Sequence, residues 1–195
     1  MKKYFLTILT FFIFVNPVLG KQIDRIVAKI NGDVILASEL DENVNSFMLQ
    51  AQIPGSPDEI RRKILDQMID EKILLQEARN ENIDATDDEI KTALQNLRDK
   101  FPTKEDFNRE LRKQGLTIIE LQANLIKQLK IMKLVEKNVK RKIQVSNKEV
   151  DDYYFTHQNQ SKEDIKNVIF DKKFNESYSK WMQKIRNDAV VDIKL

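Results

Sequence analysis

A mainly α-helical fold carrying a small antiparallel sheet is predicted by three observations. The 195 residues include only four Gly and four Pro while a third are charged, a balance that favours helices over turn-rich β structure. Seven Ser or Thr residues stand three places before an acid, each heading a segment of helical apolar period. Strand-like patterning is confined to the two ends of the chain.

The elements follow in chain order. Met1-Lys2-Lys3 is a short basic start, 4–15 is an apolar run broken only by Thr, and Pro17 precedes Val18-Leu19-Gly20. This is the layout of a secretory signal peptide over 1–20, its apolar run shorter than the roughly 20 residues of a membrane span. Cleavage is expected to leave a chain with no stable membrane insertion. With no Cys present, a lipoprotein-type acyl anchor is excluded.

Residues 23–30 and 34–36 flank Asn31-Gly32, a hairpin signal in which both turn residues are expected at positive φ. Helices are expected over 39–51, 57–81, 87–100, 104–113, 118–142, 147–157 and 162–188. Their starts are the pairs Ser38/Asp41, Ser56/Glu59, Thr86/Glu89, Thr103/Asp106, Thr117/Glu120, Ser146/Glu149 and Ser161/Asp164. In each, the hydroxyl satisfies a free N–H and the acid reaches back, Asp more weakly than Glu. Pro57 suits a first turn. Ile60, Ile64, Leu65, Met68, Ile69, Leu75 and Ala78 form one amphipathic stripe. Leu121, Leu125, Leu129, Met132, Val135 and Val139 form another, both at the three- and four-residue steps of a helix face. Gly115 reads as the residue that ends 104–113. In 189–195, Val191, Ile193 and Leu195 alternate with Asp192 and Lys194, the period of a half-buried strand. A lone hairpin is marginal in water, so this strand is expected to join the N-terminal one. The polar stretch from Thr156 to Gln160 is the best break.

The residues offer little chemistry. Without Cys there is no disulfide, thiolate metal site or Cys nucleophile. The single imidazole, His157, sits among polar neighbours and reads as a solvated side chain. Asp87-Asp88 and Asp151-Asp152 fall in helix first turns, where negative charge complements the dipole, and Lys137, Lys140, Arg141 and Lys142 fall at the opposite, favourable end. No catalytic, metal or cofactor-binding residue is expected. Beyond residue 20 the basic and acidic side chains number 31 each, so no basic field recruits nucleic acid. Trp181, Tyr178, Phe174 and Ile185 read as a core stripe. Phe47, Met48, Ile53 and Phe101 lie near connectors, where adaptable apolar side chains suit a binding surface.

Residues 23–35 (IDRIVAKINGDVI), with Ser38-Glu39-Leu40, resemble the start of the SurA-like periplasmic chaperones of the parvulin-type foldase family. The block Arg61 to Glu77 is similar to a long helix of that family's chaperone domain. So are Asn82-Ile83 leading to Thr86-Asp87-Asp88-Glu89-Ile90, the step Phe107, Leu111, Gly115-Leu116, and the exit segment Ile143 to Val150. Trp181-Met182 to Leu195 resembles the family's C-terminal helix and strand. In the family a prolyl-isomerase domain stands between exit and C-terminal helix; here only residues 151–180 separate them, and the Gly-rich isomerase signatures are absent.

The resemblance implies a chaperone core: 21–150, a short linker 151–161, and 162–195 packing back on the first part. It implies an ATP-independent periplasmic holdase without catalysis or cofactors. Its partners would be unfolded polypeptides, outer-membrane β-barrel precursors among them. Phe47, Met48, Ile53 and Phe101 are the expected client contacts. The alternatives are an assembly adaptor for one folded partner and, more remotely, a peptidyl-prolyl isomerase.

Overall fold

The computed structural model describes residues 24–50, 56–156 and 160–194. The expected signal peptide, Ile53 and His157 lie outside the described residues. In order come β1 (Ile26–Ile30), β2 (Asp33–Leu36), α1 (Ala37–Gln50), α2 (Pro57–Asn80), α3 (Asp87–Arg98) and α4 (Lys104–Lys113). Then follow α5 (Ile118–Asn138), a 3₁₀ turn (Lys140–Lys142), α6 (Asn147–Thr156), α7 (Lys162–Asp188) and β3 (Val191–Ile193). Helix α6 thus fills the first half of 151–161, the stretch expected as a linker.

The three strands form one antiparallel sheet in the order β2-β1-β3, so the two ends of the described chain meet as the alternation implied. A bulge between Ile26 and Ala28 resets the pleat, and both Val27 and Ala28 are fully buried. An extra unpaired residue in one strand has that effect. In the turn, Asn31 alone has positive φ, at 51°, where positive φ was expected at Gly32 as well. Asn31 is held by tertiary bonds: its N–H donates to the Val190 carbonyl (2.8 Å), its side-chain amide donates to Gln76 (2.6 Å), and its Oδ1 accepts from the Val190 N–H (2.9 Å).

Local capping builds most helices as read. Ser56, Thr86 and Thr117 make complete capping boxes with Glu59, Glu89 and Glu120. Ser146 and Glu149 exchange the same pair of bonds. Thr103 and Ser161 accept from Asp106 and Asp164 N–H, but each Asp carboxylate returns only to the hydroxyl. Asp is one methylene too short to close the box. Ser38 is not a cap, because α1 starts at Ala37, straight from β2. The Asp24 carboxylate, 14 residues earlier, accepts from the Ser38 N–H and hydroxyl instead. Two helices end in Schellman turns. After α4, Gly115 (φ 68°) bonds back to Arg112 and Leu116 to Leu111. After α2, Asn82 (φ 54°) and Ile83 do the same to Arg79 and Ala78.

Helix α2 is central. Ile60, Ile64, Leu65, Ile69, Ile73, Leu74 and Ala78 are all buried, which is more than the single stripe expected. The reason is that α1, α5, α7 and the sheet pack around α2. The main core gathers Val27, Ala28, Ile30 and Ile35 from the sheet with Leu40, Leu134, Met182 and Ile185 from the helices around α2. Arg186 on α7 clamps to Asp70 (2.6 Å) and Asp66 (2.7 Å) on α2. Tyr178 and Trp181 pack on this core, while Phe170 and Phe174 continue the row as stacked rings.

Helices α3 and α4 project from it as an arm. Helix α3 rests on α5 without a fully buried residue, and α4 buries only Phe107. Polar bonds tie the arm's root: Lys133 reaches the Asp84 carbonyl (2.7 Å) and Glu89 (2.8 Å), and Lys130 reaches Asp84 (3.0 Å).

Candidate functional site

A cleft of about 720 Å³ lies between α1, α2 and the first half of α5. Its geometry follows from helix period. Glu39, Glu42, Asn43 and Ser46 line it from α1 at three- and four-residue steps, one face of a helix. Leu40 and Val44, on the next face, enter the core. Helix α2 contributes Met68, Lys72 and Leu75; α5 contributes Ala123, Lys127 and Ile131, with Leu116 just before its cap. Glu71, Glu120, Asn124 and Gln128 line it too, so the surface is mixed, with apolar Met68, Leu75, Leu116 and Ile131 set among polar and charged side chains.

The charged side chains are cross-tied by Lys72–Glu39 (3.8 Å), Lys127–Glu71 (3.5 Å) and Arg79–Asp33 (2.9 Å). All are solvent-accessible, and such pairs contribute between zero and about 1 kcal/mol each. Gln76 donates to the Ile30 carbonyl (3.0 Å) and to Asp33 (2.8 Å), fixing the hairpin at one end of the cleft. The Gln76 bond, followed by the Arg79 guanidinium, holds the Asp33 carboxyl below its usual range. Glu42 takes part in none of these pairs and stands exposed on the α1 wall. Ile119, 73% exposed, lies in the first turn of α5 between the lining residues Leu116 and Glu120. The arrangement suits weak, many-sided contact with apolar chain. Among the described residues no cluster of acids and His is placed to hold a metal ion.

Of the residues singled out from the sequence, the three that are described lie elsewhere. Phe47 is half-buried against the core. Met48 is 49% exposed on the side of α1 away from the cleft. Phe101 packs edge-to-face on Phe107 (5.5 Å) at the α3–α4 corner, and Ile53 lies outside the described residues. What the sequence reading missed are Leu116, Ile119 and Ile131. The signal for the first two was present: Leu116 and Ile118-Ile119 flank the cap Thr117, and adjacent apolar residues in a first turn cannot share one buried stripe.

The profile of the SurA-like N-terminal domain family matches residues 1–135. Curated relatives include the chaperone SurA of Alcanivorax borkumensis, 35% identical over 136 residues, and that of Chromobacterium violaceum, 33% identical over 136 residues. Each match covers 67% of this chain but only 31% and 32% of the relative, so the chain spans about a third of their length. A solved chain from the Campylobacter jejuni pair PEB4 and Cj1289, described as SurA-like chaperones, superposes with a TM-score of 0.63. That match covers 88% of this chain and 99% of the other at 11% identity, and shows a shared fold. The chain belongs to the SurA-like N-terminal domain family.

Proposed function

We propose that this member of the SurA-like family is an ATP-independent holdase of the periplasm, exported by residues 1–20 and acting without catalysis. Its clients are unfolded polypeptides, outer-membrane β-barrel precursors foremost. The observation that carries the reading is the cleft between α1, α2 and α5, where apolar Met68, Leu75, Leu116 and Ile131 lie among charged side chains tied by Lys72–Glu39 and Lys127–Glu71. Those apolar side chains offer burial to an apolar client segment, while the hydrated charges among them keep the free protein soluble. Exposed Met48, half-buried Phe47 and the Phe101 corner serve as secondary contacts, and Ile53, outside the described residues, joins them from its position in the sequence. Holding follows from mass action: a client bound while unfolded is withdrawn from aggregation.

The test is light scattering of a porin diluted from urea, with an unrelated helical protein as control. Suppression near stoichiometric ratio is expected, and Ile119→Gln together with Leu116→Gln should weaken it. An unaltered chain that suppresses nothing at several-fold excess would sink the reading and favour an adaptor for one folded partner.

A further inference from the structure

Among the described residues no strand covers the outer side of β3, and the register of that edge can be read residue by residue. Strand β3 pairs with β1 through Ala28↔Ile193, Lys29↔Asp192 and Ile30↔Val191. The Lys194 N–H donates to the Val27 carbonyl (2.7 Å), and the Val190 carbonyl accepts from Asn31 (2.8 Å). In an antiparallel ladder, alternate residues of a strand face the same neighbour. Val190, Asp192 and Lys194 therefore spend their backbone groups on β1. Val191 and Ile193 point theirs the other way, where no described strand lies. Ile193 shares the core face with Ala28 and Ile30, which are fully buried, yet it is 48% exposed. The apolar layer thus ends unfinished at this edge. On the opposite face Asp192 and Lys194 stand in the open, 3.4 Å apart, with Lys29 across from Asp192.

We infer that the free edge of β3 receives an extended client segment as a fourth strand, reading acid–apolar–base–apolar from N- to C-terminus. This rests on the chaperone reading above and adds a second contact to the cleft. Free backbone groups at every second residue are matched by an extended polypeptide. Antiparallel to β3, successive client residues face Lys194, Ile193, Asp192 and Val191. The first apolar residue covers the open half of Ile193, and both apolar residues bond to the outward backbone of Ile193 and Val191. The charged residues fall at the non-hydrogen-bonded positions, where side chains across a ladder are closest. The acid meets Lys194, the base meets Asp192, and Lys29 leaves the local surface cationic, so the acid contributes more. Alternation of this kind belongs to segments destined for β-structure rather than for helices.

The test uses the whole protein, purified as an expressing bacterium processes it. Two labelled peptides, Thr-Val-Asp-Val-Lys-Val-Thr and Thr-Val-Lys-Val-Asp-Val-Thr, are titrated by fluorescence anisotropy. The first should bind about fivefold tighter than the second. Ile193→Pro removes an outward N–H, leaves the β1 ladder whole, and is compatible with an edge strand; it should weaken binding of the first peptide about tenfold with helix content unchanged. Asp192→Lys with Lys194→Asp should reverse the peptide preference at constant net charge. Equal binding of both peptides by the unaltered chain and by Ile193→Pro would overturn the inference, even where porin aggregation is suppressed and the holdase reading stands. A dimer that Ile193→Pro dissolves, with neither peptide bound, would overturn it in favour of a second copy. Peptide binding as expected without suppression would uphold the edge and sink the holdase reading.

Discussion

The core and the arm are both helical and both well capped, yet they are held in different ways. Helix α2 buries seven residues on several sides, while α3 buries none and α4 only Phe107. The capping boxes at Ser56 and Thr86 are nonetheless equivalent. Capping makes a helix; it does not decide whether the helix is locked in place. In the core, apolar burial at about 25 cal/mol per Å² supplies the stability. In the arm, half-buried leucines and exposed ion pairs supply less, so α3 and α4 should open first.

The strongest way to break this contrast is truncation. Leu65→Ala, at a site 1% exposed, should cost about 2–5 kcal/mol in urea unfolding. Leu94→Ala on half-buried α3 should cost less than about 1.5 kcal/mol. Equal losses would mean that the arm is part of the core. Next is the clamp between α7 and α2. Arg186→Met strips Asp70, half-buried, and Asp66, exposed, of their shared cation. A loss of about 1 kcal/mol is expected, discounted for the partly exposed guanidinium. Trp181, the single tryptophan, reports it, since it packs on the core from the same helix.

Thr86→Ala removes one half of a capping box and should cost about 1 kcal/mol. Hydrogen exchange should show the added opening in α3 alone, with α2 amides unchanged. The smallest effect per group is acidic. Glu89, held low first by Lys133, and Asp106, held low first by Thr103, both have depressed carboxyls in the arm. Stability from a depressed carboxyl is present above its unfolded pKa and is lost as pH falls through the folded one. In the core Asp33 and Glu59 are depressed too, but Asp70 runs the other way: burial, opposed by Arg186, raises it, so its protonation offsets part of their loss as pH falls. Glu149, held at about 2 first by Lys173, keeps the α6–α7 contact to lower pH. Acid titration from pH 5 downward should therefore reduce far-UV helix signal before Trp181 fluorescence changes. Coincident transitions would dissolve the distinction between arm and core.

Much of this was legible because it is local. The bonds of a capping box join residues three apart, so Ser56, Thr86, Thr117 and Ser146 announce their helices from the sequence. Ser38 had the same spacing but lost its role to Asp24, a partner 14 residues away. Alternation in 189–195 marked a strand, yet nothing local stated its neighbour or its register. Phe47, Met48, Ile53 and Phe101 lie near connectors in the sequence. The cleft instead formed where faces of α1, α2 and α5 converge, which no single helix wheel contains.

Most helices, the capped starts other than that of α1, the hairpin and the family resemblance were legible in the sequence, since these rest on hydrogen bonds and apolar periods spanning a few residues. Long-range packing set the burial of α2 on several sides, the place of Leu116 and Ile131 at a cleft, and the exposure of Ile193 on a strand side that no other described strand covers. Those outcomes depend on which surfaces meet over long separations. Burial and backbone pairing are shared between elements, and no one segment encodes them alone.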